Sequence, residues 1–143
     1  MLTEKEKQLL ELHQGNKKLN KWIDSISNSN NPFFLKESAE LYNWDDGFKL
    51  PLAIANNKYC DKGVALTLFW LAEGIIFFSD EIKKNEYNID WANFCELIGN
   101  RLINDIYDEG PVSFNPLINR VSIYKYEKSG IPKELYYPVE GNI

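Results

Sequence analysis

Apolar residues recur at helical spacing along most of this chain. Leu9, Leu10 and Leu12 follow Thr3 and Glu6, whose spacing lets each side chain accept from the other's backbone N–H. A first helix is therefore predicted, opened by this capping box and ended by Gly15 and Asn16. A second, beginning near Asn16, would bury Leu19, Trp22, Ile23 and Ile26 at i, i+3, i+4, i+7. The Ser- and Asn-rich residues 27–31 break that stripe. Asn31 as N-cap and Pro32 at the first helical position then predict a third helix through Leu35, Ala39 and Leu41, ending at Trp44.

Asp45, Asp46 and Gly47 have turn chemistry, because Asp bonds nearby backbone and Gly supplies a positive φ. Pro51 can start a short helix over Leu52, Ile54 and Ala55, closed by residues 56–58. Asp61 caps a strongly apolar helix over residues 62–73, with Gly74 as its C-terminal stop. Ala65, Leu66, Leu68, Phe69 and Leu71 surround most of that cylinder, which predicts the central helix of the fold. Residues 75–78 either extend it or form a short buried segment. Asn88 or Asp90 opens a long helix through Trp91, Phe94, Cys95, Ile98, Leu102 and Ile106, finished by Gly110 and Pro111. Beyond it the pattern changes. Val121, Ile123, Tyr124 and Tyr126 are strand formers, Ser129-Gly130 is a turn, and Leu135, Tyr136 and Tyr137 could return as a second strand. Pro132 and Pro138 would confine any such hairpin to an edge. The expected architecture is mainly α: one domain over residues 1–143, a bundle of about five to six helices, with an irregular or β-containing segment over 111–143 and at most a short C-terminal hairpin.

Composition supports a self-sufficient core. The 143 residues are 44% hydrophobic and include four Trp, eight Tyr and eight Phe, enough to bury roughly two thirds of the surface of the unfolded chain. Trp22, Phe33, Phe34, Phe69, Trp70 and Trp91 read as core rather than as a base-stacking platform, since no basic residues interleave with them. Cys60 and Cys95 lie in apolar helical patterns without metal or redox spacing, so buried free thiols are expected. The acidic, helix-like N-terminus is neither a secretory signal nor a transit peptide. Glu73 and Gly74 break the longest apolar run, and cytoplasmic residence is the expectation.

Charge changes the functional reading. The net charge is −5, yet residues 73–109 hold nine acids against three bases, a local −6. That disfavours nucleic acid, whose binding rests on phosphate neutralisation by Lys and Arg, and it suits a basic partner. His13 is the only histidine and has no evident catalytic companions. Asp45, Asp46, Asp61 and Glu73 are the acids that a metal-dependent hydrolase would use, but their spacing does not bring them together, and the loop lacks a calcium-binding pattern. The dispersed glycines form no phosphate loop. No catalytic residue, metal site or cofactor is assigned.

Two blocks stand apart from this generic pattern. Trp44-Asp45-Asp46-Gly47-Phe48 is followed by Cys60-Asp61, Gly63 and, on the apolar helix, Phe69-Trp70. Over about residues 41–74 the chain resembles a bacterial domain family of no established reaction, built on a Trp-Asp-Asp-Gly-Phe turn and a Cys-Asp-x-Gly helix. Small proteins of that sort look like immunity proteins of contact-dependent growth inhibition and other polymorphic toxin systems. The resemblance implies a 1:1 complex of a monomer with a cognate toxin C-terminal domain, a basic nuclease by expectation, without direct contact to nucleic acid or membrane. It marks no interface. Charge and the exposure expected of helix ends and loops nominate Asp80, Glu81, Asp105, Asp108 and Glu109. The small hydrolase above and an adaptor or structural domain are the alternatives.

Overall fold

The computed structural model describes residues 1–15 and 18–142. Helix α1 (Glu4–Gly15) opens on the expected capping box: Thr3 N–H donates to Glu6 Oε1 at 2.8 Å and Glu6 N–H to Thr3 Oγ1 at 3.1 Å. The expected break at Asn16, and a second helix starting there, lie outside the described residues. Helix α2 (Leu19–Ser27) buries Trp22 and Ile26. Helix α3 (Pro32–Leu41) starts as its sequence dictates, with Asn31 Oδ1 accepting from Phe33 N–H at 3.0 Å and proline at its first position. A single 3-10 turn, Trp44–Asp46, leads through Gly47 at φ 99° into α4 (Lys49–Asn56). Pro51 sits inside the first turn of α4 rather than starting it.

Helix α5 (Lys62–Leu71) is the centre of the molecule: every residue from Gly63 to Phe69 is buried. Helices α3, α4, α6 (Gly74–Ser79) and α7 (Ile89–Ile103) pack around it. Gly74 does not end α5. The left-handed residue is Glu73, at φ 58°, and Gly74 begins α6 at a point where a Cβ would overlap the Phe69 ring. Residues 75–78 thus belong to a separate short helix. Helix α7 also stops earlier than its apolar stripe suggests. Asn104 caps it, Asp105 turns left-handed at φ 56°, and Ile106 is 63% exposed, well short of Gly110 and Pro111.

The C-terminal segment carries the main correction. Residues 120–128 form α8 (Arg120–Lys128), initiated by Asn119, whose Oδ1 accepts from Ser122 N–H at 2.8 Å. Its β-branched and aromatic residues divide by helical period: Ile123 and Tyr126 lean inward, Val121 and Tyr124 outward. Leu135 ends a second 3-10 turn, Lys133–Leu135, instead of opening a strand. Among the described residues the β structure is one isolated bridge, Phe114 with Val139, so there is no hairpin. Among the described residues eight α-helices form an all-helical single domain, where five or six were expected; the additional two are α6, read as an extension of the central helix or a short buried segment, and α8.

Indole donors pin the outer helices to this core. Trp22 donates to Ser38 Oγ at 3.1 Å, Trp44 to the Ala39 carbonyl at 3.0 Å, Trp70 to that of Leu135 at 2.9 Å and Trp91 to that of Ala72 at 2.7 Å. Each large ring is buried or half-buried with its polar atom satisfied, as the core reading requires. Among the described residues no helix is long and apolar enough to cross a membrane.

Candidate functional site

The two singled-out blocks meet the core in different ways. Asn43 Oδ1 accepts from Asp45 N–H, which sets the 3-10 turn, and Tyr42 donates to the Gly47 carbonyl at 2.8 Å. Asp45 and Asp46 face solvent, while Trp44 and Phe48 form an aromatic cluster with Phe94 of α7 at centroid separations of 5.8 and 5.2 Å. Asp61 is buried. Its Oδ1 accepts from Val64 N–H at 2.9 Å, capping α5, and its Oδ2 accepts from Val112 N–H at 3.0 Å. Burial raises its pKa, opposed by the backbone N–H groups of Val64, Val112 and Gly63. Gly63 is required here because a Cβ would overlap the Val112 carbonyl. One carboxylate therefore starts the central helix and ties residues 108–112 to it, with Lys62 N–H donating to the Asp108 carbonyl at 2.8 Å.

The hydrolase constellation is not assembled. Asp61 is spent on backbone donors, Asp45, Asp46 and Glu73 are exposed, and no group of three or more His, Cys, Asp or Glu among the described residues could hold a metal ion. Cys60 and Cys95 are buried free thiols, as expected. Burial pushes Cys95 up to about 12 and also raises Cys60, where the charge of Asp61 adds to it, so neither is a ready nucleophile. His13, in the last turn of α1, is half-buried: it stacks on Trp22 at 5.7 Å, with Nε2 2.9 Å from Ser25 Oγ.

The nominated acids are all exposed. Asp80 and Glu81 follow α6, and Asp105, Asp108 and Glu109 follow α7. Glu81 and Asp105 hold left-handed backbone at φ 50° and 56°, which is unusual for residues with a Cβ. Asp105 forms an ion pair with Lys62 Nζ at 2.9 Å.

Sequence reasoning missed a furrow beside α7. A depression of about 520 Å³ over Phe48, Leu52 and Leu97 shares Asn93 and Leu97 with one of about 550 Å³ that reaches Asn104 and Ile106. That one shares Arg101 and Ile106 with a third of about 380 Å³, over Lys58, Tyr59 and Tyr107. Arg101 anchors the far wall. Its Nη1 donates to Asn56 Oδ1 at 2.9 Å, to Tyr107 Oη at 3.1 Å and to the Ala55 carbonyl at 3.4 Å, so its charge sits at the C-terminus of α4. A signal existed: Asn93, Leu97, Asn100 and Asn104 recur at helical spacing on a face opposite the buried stripe. Nothing local, however, places Phe48 and Leu52 across from that face.

The sequence model of one protein family, described as Domain of unknown function (DUF4274), matches residues 30–103. That stretch runs from just before α3 to the last residue of α7 and contains Phe48, Leu52, Leu97 and Arg101. No curated protein and no solved structure matches the chain.

Proposed function

We propose, for a chain that belongs to the DUF4274 family, that it is an immunity protein of a polymorphic toxin system, resident in the cytoplasm, that binds and neutralises a cognate toxin domain. The observation that carries this reading is the excess of acids in residues 73–109 together with the exposure of those that follow α6 and α7. Nine acids against three bases fall within residues 73–109, and Asp80, Glu81, Asp105, Asp108 and Glu109 all face solvent. A nuclease that grips phosphate presents a basic cleft, and an acidic partner of this kind is drawn to that cleft and blocks substrate entry without chemistry of its own. The mechanism is stoichiometric occlusion by a monomer in a 1:1 complex.

The test is direct. The toxin domain at the end of the adjacent upstream gene is expressed in cells with and without this protein, and the purified pair is titrated by calorimetry. Protection with 1:1 binding is expected. Replacing Asp80, Glu81, Asp105, Asp108 and Glu109 together by Lys should abolish protection while leaving the circular dichroism spectrum unchanged. Absence of binding by the unaltered protein overturns the reading, and so does full protection by the charge-reversed one.

A further inference from the structure

Within that toxin-neutralising reading, on which the inference rests, we infer that Tyr87 anchors the interface: its ring enters the partner's basic cleft and packs on a cationic side chain there. Tyr87 lies between α6 and α7 and is 91% exposed, against 62% for Tyr124 and 43% for Tyr137. Among the described residues no other ring stacks on it and its hydroxyl has no hydrogen-bond partner. The fold draws no packing from this side chain. Exposure alone would be ordinary, but the backbone beneath the ring and the charge around it are not.

That backbone is already ordered. Asn85 Oδ1 accepts from Tyr87 N–H at 2.8 Å and from Asn88 N–H at 3.0 Å, while Asn88 Oδ1 accepts from Asn85 N–H at 2.8 Å. Asn88 Nδ2 donates to the Lys83 carbonyl at 3.1 Å, and Lys84 Nζ reaches back to Glu96 Oε1 of α7 at 2.9 Å. Seating the ring therefore costs little loop entropy, and a tyrosine fixes only two side-chain torsions. Charge selects what the ring meets. Asp80, Glu81, Glu86 and Asp90 are all exposed in the stretch 80–90, and its cations are Lys83 and Lys84. Glu96 matches Lys84, so these acids stand against Lys83 alone. The ring face and the carboxylates favour the same ligand, a guanidinium or ammonium group. Tyr124 is the contrast, because it shares α8 with Arg120, Lys125 and Lys128 against Glu127. The acids steer the encounter, and the desolvated ring slows departure.

Tyr87→Ala removes the ring, Tyr87→Phe keeps it without the hydroxyl, and Tyr124→Ala removes an exposed ring from the cationic helix. All three sites are exposed, so each variant should fold, which circular dichroism checks. Each full-length variant is titrated by calorimetry with the toxin domain of the adjacent upstream gene. Tyr87→Ala should lose at least about tenfold in affinity, while Tyr87→Phe and Tyr124→Ala stay within about threefold of the unaltered protein. If the unaltered protein binds and Tyr87→Ala loses less than that, the anchor is overturned while the immunity reading stands. A loss in Tyr87→Phe equal to that in Tyr87→Ala overturns it too, by assigning the contact to the hydroxyl, and so does an equal loss in Tyr124→Ala. If the unaltered protein does not bind, the anchor and the immunity reading both fall.

Discussion

Asp61 shows how much one residue can organise. Its two carboxylate oxygens satisfy one orphan donor of α5 and one donor of the loop at Val112, in a buried setting where neither N–H has water as an alternative. Asp61→Ala removes an N-cap worth about 1 kcal/mol and leaves a buried N–H unpaired at a further 1–2 kcal/mol. The melting temperature should fall by about 5–10 °C, read by calorimetry. A change within 1 °C would show that the carboxylate holds nothing. His13 makes a second test at this scale, because one histidine gives one imidazole titration. Desolvation against Trp22 lowers its pKa from 6.5. The folded state thus binds this proton less readily than the unfolded chain. The resulting stability is fully present above pH 6.5 and is lost as the pH falls through the folded value. Imidazole proton shifts followed by NMR should give a midpoint below 6.5, and His13→Gln should flatten the stability profile in that window.

At the scale of elements, local chemistry was legible at three helix starts that depend on residues within three positions, but not at α8, whose Asn119 cap is equally local. The box of Thr3 and Glu6, the Asn31–Pro32 start and the Asp61 cap all stand as read. The elements that escaped were masked by composition or set by distant neighbours. Val121, Ile123, Tyr124 and Tyr126 favour strands by composition, yet with no second strand to pair with, the Asn119 cap and an inward pair at i, i+3 decide for helix. The furrow escaped because Phe48, the residue before α4, meets Phe94 of α7 only once the chain between them has folded. The α5–α6 junction shows the competition at one peptide. A Cβ at position 74 would overlap the Phe69 ring, so glycine occupies that position and the left-handed turn falls on Glu73. Glu73→Gly should therefore stabilise the protein by about 0.5–1 kcal/mol, by removing the Cβ from a left-handed site. Gly74→Ala should cost about 1–3 kcal/mol through overpacking. Urea unfolding of both variants checks the pair, and opposite signs are the required result.

Across the whole molecule, charge and stability are nearly independent. The four ion pairs of the described residues, such as Lys7 with Glu4 and Lys62 with Asp105, have at least one well-exposed partner, so each contributes about 1 kcal/mol or less and the fold rests on the burial around α5. The local −6 of residues 73–109 acts instead at a distance. Its reach is set by the Debye length, about 30 Å at 0.01 M salt and about 3 Å at 1 M. A partner drawn in by that field should lose about tenfold in association rate when salt is raised from low to about 0.5 M, because steering is lost before contacts are made. The dissociation rate should change much less, since steering acts on the encounter and not on contacts already made. The melting temperature of the free protein should move by only a few degrees over the same range. Stopped-flow association and dissociation with the toxin domain separate these three responses. An association rate independent of salt would remove the acidic surface from the mechanism.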